Sequence, residues 1–163
     1  MDVARFEDLQ AEFLERVTQA VYCIMATVDR QNRPRLRVMH PIWDGLIGWI
    51  ISWPASHKAT HLAHNPAVSL AYLPDKAKPV YVDGIAEWID TVEETQRIWD
   101  LHRTTPPPLG FDPQPHYGTI DHPYYGLLRI TPRRIELGNL GGEPLIWRRS
   151  EQSKSKPRFG GRA

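Results

Sequence analysis

Cysteine is almost absent from this sequence: Cys23 is the only one in 163 residues, which excludes an internal disulfide and a cysteine-based metal site. Its apolar, strand-like neighbours place that thiol in a buried position. Long apolar runs are missing too, and none approaches the length needed to span a bilayer. The N-terminal MDVARFEDLQ is too acidic and polar for a signal peptide, so a cytoplasmic location without a membrane partner is expected. There is no Gly-x-Ser-x-Gly elbow, no paired-carboxylate motif and no phosphate-binding glycine loop. Hydrolase chemistry therefore has no carrier, and any reaction is expected to come from a bound cofactor.

An excess of one charge is lacking as well, since 20 Lys and Arg stand against 19 Asp and Glu. The balance is uneven along the chain. Residues 148–163 hold six Lys or Arg against the single acid Glu151. With almost nothing apolar to bury, this segment reads as a solvated, disordered tail, and one basic tail does not make a nucleic-acid-binding protein. Residues 1–147 are expected to form one domain, because a chain of this length supports one proper core.

Apolar side chains at Phe6, Leu9, Phe13, Leu14 and Val17 predict an amphipathic helix over 4–19. VYCIMATV, the polar DRQNRP and LRVMHPIW read as a β-hairpin. A turn at Asp44-Gly45 leads into LIGWIISW, so that three successive antiparallel strands are expected over 21–53. A short helix from Ser56 to about His64 ends before Pro66 and is followed by the strand AVSLAYL. VYVDGIAEWI predicts a long strand with Gly84 at a bulge, and Thr91 with Glu94 predicts a capping box for a helix over 92–101. TTPPPLGFDPQPHYG is expected to be irregular and to clasp a partner or cover a site. YYGLLRI and RIEL read as two final strands separated by Thr131-Pro132. The expected fold is mainly β, a small antiparallel barrel with peripheral helices.

Lys58 is the odd residue in this pattern. A helix N-terminus carries unpaired N–H groups and the positive end of the macrodipole, which favour acids and disfavour cations. An anion bound there reverses that preference. Ser56, His57 and Lys58 at the helix start, with Arg35 or Arg37 from the second strand, therefore form a candidate phosphate cradle. The two arginines alternate with Leu36 and Val38 and share the face opposite them. His57, His61 and His64 lie on one helical face as a weaker zinc-like alternative, with a solvated histidine face favoured and no metal expected.

The stretch RLRVMHPIWDGLIGWIISWPASHKATHLAHNPAVSLAYL resembles the core of the pyridoxamine 5′-phosphate oxidase-like, flavin-binding split β-barrel superfamily, above all its small general-stress-protein branch, over about residues 20–140. Its most specific part is an Arg-hydrophobic strand, then a strand running into Ser-x-Lys, a short helix and Asn-Pro-x-Val-Ser-Leu. Here these are Arg37, Ser56, Lys58 and residues 65–70. The resemblance implies an antiparallel split β-barrel of FMN-binding type and a homodimer with two flavins in the interface. Arg37, Val38, Met39 and His40 would line the flavin from one strand and Ile51 and Ser52 from the next. Ser56, His57 and Lys58 would bind its phosphate, and Arg148 would keep a flavin contact.

Departures from the superfamily pattern matter as much. Gly138 stands where true pyridoxamine phosphate oxidases carry a tryptophan, Pro144 and Ile146 stand where an Arg-x-His pair grips the pyridoxal substrate, and Pro79 replaces a flavin-touching glutamine. The resemblance thus implies the flavin without vitamin B6 oxidation. The expected function is hydride or electron transfer through FMN, to or from a nicotinamide or other small organic substrate. His40, Ser52, Tyr117 and Trp147 are the side chains to test as ring or substrate neighbours. A reductase using the deazaflavin coenzyme, and a non-catalytic flavin- or haem-binding carrier or sensor, are the alternatives.

Overall fold

The computed structural model describes residues 1–150; the basic tail expected to be disordered lies, from residue 151 onwards, outside the described residues. A two-residue strand β1 (Asp2–Val3) precedes helix α1 (Glu7–Ala20). Glu7 and Asp8 sit in the first turn of α1, where acids complement the macrodipole, and Leu9, Phe13 and Val17 form the buried stripe the spacing predicts. Strands β2 (Cys23–Val28) and β3 (Pro34–Met39) then form the expected antiparallel hairpin.

The next segment departs from three successive paired strands. LRVMHPIW breaks at His40-Pro41, and a separate short strand β4 (Ile42–Asp44) follows. Proline has no N–H to give to a ladder, so the chain leaves the first strand pair there. Strand β5 (Ile47–Ser52) turns back on β4 at Gly45, whose φ of 58° suits glycine, and does not pair with β3. Helix α2 (His57–His64), strand β6 (Ala67–Tyr72), strand β7 (Val80–Ile89) and helix α3 (Val92–Thr104) follow in turn.

The capping box expected at Thr91 is not made: its side chain caps nothing, while Glu94 pairs with Arg97 at 2.8 Å. The proline-rich segment is not wholly irregular, since α4 (Gln114–Tyr117) forms one short helix within it. The two last expected strands are one, β8 (Gly126–Leu137), before β9 (Leu145–Arg148). Pro132 is tolerated inside β8 because it sits opposite Gly84, where the β7–β8 register shifts after Asp83. A Cβ at Gly84 would lie 2.7 Å from the Thr131 carbonyl oxygen, so the predicted bulge requires glycine.

All strands join one sheet in the order β1-β9-β8-β7-β6-β2-β3, with β5 on β8 and β4 on β5. The sheet is mixed, because β1 runs parallel to β9, and its pairing path does not close. The expectation of a purely antiparallel barrel is corrected accordingly. The chain enters through β1 beside β9, and α1, which packs against β6 and β7, carries it to β2 near the opposite edge, so β1 and β3 remain the two ends of the pairing path. Among the described residues no helix is long and apolar enough to cross a membrane.

Helix α1 packs on the inner face of the strands. Phe13, fully buried, meets Trp43 edge-on at 4.9 Å and Phe6 at 5.9 Å. Trp43 donates its indole N–H to the buried Tyr72 hydroxyl at 2.8 Å, and Arg16 donates to the Gly138 carbonyl at 2.7 Å. Phe13→Ala should therefore cost about 3–5 kcal/mol in a denaturant titration. A loss below about 1 kcal/mol, the scale of a surface change, would mean that α1 is not tied to the sheet.

Candidate functional site

The β2–β3 hairpin sets the orientation of the arginines. Thr27, Met25 and Cys23, all buried, pair across the hairpin with Arg35, Arg37 and Met39. Arg35 and Arg37 thus share one face, as expected, but it is the inward one. The apolar Leu36 and Val38 point outward and remain 69% and 63% exposed. This inverts the usual sheet arrangement, in which the apolar face is the covered one.

Helix α2 brings Lys58 to that inward side. Lys58 is 8% exposed and donates its ammonium to Ser56 Oγ at 2.8 Å. Ser56 has the extended backbone of an N-cap, but its hydroxyl takes the lysine rather than a helix N–H. Burial lowers the Lys58 pKa, and the nearby Arg37 charge lowers it further. Burial also lowers that of Arg37, whose Nη1 is inaccessible and without a hydrogen-bond partner. Among the described residues neither cation has a carboxylate within ion-pair distance. Two adjacent, partly desolvated and unpaired cations are unfavourable by themselves and are relieved by an anion.

Arg35 behaves differently. Asp29, 5% exposed, accepts the Gln31 and Arg33 backbone N–H groups at 2.9 and 3.0 Å, and its other oxygen takes Arg33 Nε at 2.9 Å and Arg35 Nε at 3.2 Å. Burial would raise the Asp29 pKa, but these donors outweigh it and hold the carboxyl well below the usual range. Arg35, Arg37, His57 and His61 border one open groove of about 600 Å³. His61 Nδ1 is 2.9 Å from Thr27 Oγ1, which anchors α2 to β2. Burial and then Arg37 lower the His61 pKa. His57, His61 and His64 do not assemble into a metal-ligand cluster among the described residues.

The remaining sequence-derived residues divide. Met39 and His40 continue from Arg37 and are half-buried, as are Ile51 and Ser52 on the strand leading to α2. Val38 faces away, so only its backbone is on the arginine side. Arg148 is not brought to the groove: it lies exposed on β9, pairs with Asp2, and has four strands between it and β3 in the sheet. Trp147 is a core residue, packed edge-on against Phe6 at 5.9 Å, which corrects its reading as a ring neighbour. Gly138 leaves no room for a tryptophan, because a Cβ there would lie 2.6 Å from the Pro79 ring.

The proline-rich segment covers the end of β3. Phe111 packs between His40 at 6.1 Å and His102 at 5.4 Å, and Tyr22 stacks on His40 at 5.0 Å. Tyr117 sits in the same segment, 5.3 Å from Tyr125. Burial lowers the His40 pKa, partly offset by the Leu109 carbonyl. Four residues of this assembly were not singled out from sequence: Tyr22, His102, Phe111 and Tyr125. The signal available for His102 was its i+4 spacing from Ile98 on the buried side of α3; Phe111, isolated among prolines, offered none.

His102, 1% exposed, bonds to the Ile98 carbonyl through Nδ1 at 2.9 Å, and burial lowers its pKa to about 4. The neutral ring is the form the fold prefers. Its contribution is complete above about pH 6.5 and is lost as pH falls towards 4, by about 3 kcal/mol in all. Denaturant midpoints between pH 7 and 4 should decline, and His102→Gln should flatten the decline; an unchanged slope would assign it to other groups.

The model of the pyridoxamine 5′-phosphate oxidase family matches residues 9–137. No curated protein sequence matches at a significant level. Among solved structures, a protein related to general stress protein 26 from Clostridium acetobutylicum superposes with a TM-score of 0.70 at 17% identity, covering 87% of this chain and 95% of its own. A pyridoxamine 5′-phosphate oxidase-related, FMN-binding protein from Nostoc punctiforme gives 0.67 at 18% identity, over 92% and 93% of the two chains. The haem storage protein HutZ of Vibrio cholerae gives 0.60 at 17% identity, over 80% and 94%. At these identities the likeness is one of fold.

Proposed function

Because the chain belongs to the pyridoxamine 5′-phosphate oxidase family, we propose that it binds FMN and acts, as a homodimer, in flavin-dependent oxidation or reduction of a small organic substrate. The observation that carries this reading is the pair of inward cations, Arg37 and Lys58, beside the start of α2, with no carboxylate at ion-pair distance among the described residues. A phosphate monoester matches that donor set: a guanidinium fork, an ammonium, the Ser56 hydroxyl and the N–H groups of the first helical turn. When bound, the flavin ring would supply the hydride or electron transfer.

The chain's own residues bind and orient. Arg37 and Lys58 neutralise the phosphate, with Ser56 and His57 at the helix start. Met39, His40, Ile51 and Ser52 stand next along their strands as neighbours of the ring, and the Phe111 segment over His40 excludes water from that end. Vitamin B6 oxidation is not proposed, since the packing of Pro79 against Gly138 forbids a tryptophan at that position.

The outer sheet face supports the dimer. Val38, Ile24, Ala71 and Tyr81 stand side by side across β3, β2, β6 and β7, with Val38 63% and Ile24 and Tyr81 each 42% exposed. Leu36 extends the stripe. An apolar sheet face without a covering layer is completed by another layer, and a second copy of this chain is the proposed occupant. Its Arg148, remote from the groove of its own chain, is then available to the partner's site.

Fluorescence titration of the full chain with FMN, riboflavin, the deazaflavin coenzyme and haemin tests the reading. FMN binding at least tenfold tighter than riboflavin is expected, since a charge-assisted hydrogen bond is worth about 1.5–3 kcal/mol. Preference for the deazaflavin coenzyme would move the protein to that cofactor. Binding of haemin alone would replace the oxidoreductase with a carrier.

A further inference from the structure

The start of α3 leaves a pocket open on the sheet. Trp49, Ile98 and Leu127 form a small core cluster under this helix, with Ile89 packed against them. At the N-terminal end of α3 the cluster gives way to a pocket of about 270 Å³ between the first helical turn, the end of β7 and the start of β8. Ile89, Val92, Ile120 and Leu127 supply its aliphatic wall, and Trp88 and Tyr125 its aromatic one. The Trp88 ring packs on the bare backbone of Gly126, where a Cβ would lie 3.0 Å from it, so this wall is formed in advance of any ligand. No residue of the pocket borders the groove of Arg35 and Arg37.

The side-chain charge on this pocket has one sign. Asp90 and Asp121 are exposed residues on its wall, and no Lys, Arg or His lines it. Neither carboxylate enters an ion pair or accepts a hydrogen bond among the described residues, whereas Glu94 and Asp100 on α3 are taken up by Arg97 and Arg103. The positive end of the α3 macrodipole is close by, but it amounts to about half an elementary charge against two full negative ones. Tyr125 is 6% exposed and its hydroxyl has no hydrogen-bond partner among the described residues. Burial pushes its pKa upward, so it stays a neutral hydroxyl whose oxygen is an unused acceptor.

We infer that this pocket is a second ligand site, apart from the proposed flavin groove, and that it takes a small organic cation: an ammonium head on a short apolar or aromatic body. The body lies against Ile89 and Leu127, and the head meets Asp90 and Asp121, with the Tyr125 hydroxyl as a further acceptor. The aromatic rings add attraction for a cation that lies over their faces. The volume falls just below the ~300–1,000 Å³ of pockets that hold drug-sized ligands, which limits the occupant to a small molecule. A neutral molecule of the same shape gains the apolar contact alone, and an anion meets two like charges.

Three probes that share one body and differ in the head charge test this: phenethylammonium, phenethyl alcohol and phenylacetate, titrated into the full chain and followed by calorimetry and amide NMR shifts. Phenethylammonium should bind about fivefold or more tightly than the alcohol at low salt, and phenylacetate most weakly, because two exposed ion pairs together give an effect of that size. The difference should shrink at high salt. The shifted amides should include those of Ile89, Thr95 and Leu127. Asp90→Asn/Asp121→Asn, at exposed and unpaired positions, should abolish the preference while leaving the affinity for the alcohol and the melting temperature unchanged, and each single variant should remove part of it.

Equal binding of the three probes, no binding of phenethylammonium, an intact preference in the double variant, or shifts confined to the groove of Arg35 and Arg37 would overturn the inference. Tightest binding of phenylacetate would overturn it as well and give the pocket to the α3 N-terminus. The FMN titration, run on the same native and variant proteins, should be the same in all of them, so that either reading can fail without the other.

Discussion

Replacing Arg37 with leucine and Lys58 with methionine should abolish the proposed FMN binding and leave the sheet folded. Each side chain supplies a charge-assisted contact to the phosphate worth about 1.5–3 kcal/mol, so the double change should weaken FMN by about 10²–10⁴-fold. Riboflavin, which lacks the phosphate, should lose little. The stability outcome has an unusual sign. Lys58 is 8% exposed and Arg37 has an unpartnered, inaccessible Nη1, and neither finds a carboxylate among the described residues. Removing desolvated, unpaired cations in favour of apolar groups of similar length relieves the empty protein. The melting temperature without ligand should therefore stay or rise, while the stabilisation that FMN confers on the native protein disappears. Unchanged FMN affinity would rule out the phosphate site, and a fall in the unliganded melting temperature would show that the two cations support the fold.

Ile24→Glu with Val38→Glu should convert the proposed homodimer to a monomer. Ile24 and Val38 are cross-strand partners in the middle of the outward apolar stripe and are 42% and 63% exposed in the single chain. Charges there meet water in the monomer, so folding should change little. In a self-complementary interface each substitution enters twice, and four carboxylates would lie buried near a twofold axis. Losing the burial of two apolar side chains per copy, at about 1.5–3 kcal/mol each, is enough to weaken association by more than 10³-fold before any repulsion is counted. Light scattering at micromolar concentration reads the result directly. Because the flavin is proposed to lie in the interface, FMN affinity should fall with it. A variant that remains dimeric would place the interface elsewhere, and one that is monomeric yet binds FMN normally would show that one chain completes the site.

Much of the site was legible because its signals are local. The alternation Arg35-Leu36-Arg37-Val38 puts both arginines on one face wherever the strand lies. Pro66 ends α2 after His64 whatever packs above it, and Lys58 in a first turn is unusual by itself. The resemblance carried by Arg37, Ser56, Lys58 and residues 65–70 agrees with a family match over residues 9–137 and with the folds of known structures. Illegible were the partners. Asp29 reads as a turn residue, yet its carboxylate gathers donors from Gln31, Arg33 and Arg35. Trp147 reads as a candidate ring neighbour and is core.

By itself, then, the sequence determined which residues share a strand face, where α2 starts and stops, and that no disulfide or glycine loop does the work, because periodicity, capping and composition are properties of neighbours along the chain. Only the tertiary structure decided which face points inward. The alternation in β3 is symmetric between an arginine-in and an arginine-out arrangement; pairing with the buried Met25 and Thr27, and the docking of α2 through His61, broke that symmetry. The same holds for β5 choosing β8 over β3 and for Pro132 lying within a continuous strand. Strand partners are set by contacts distant in sequence, and their free energy comes from burial shared with residues that no local window contains.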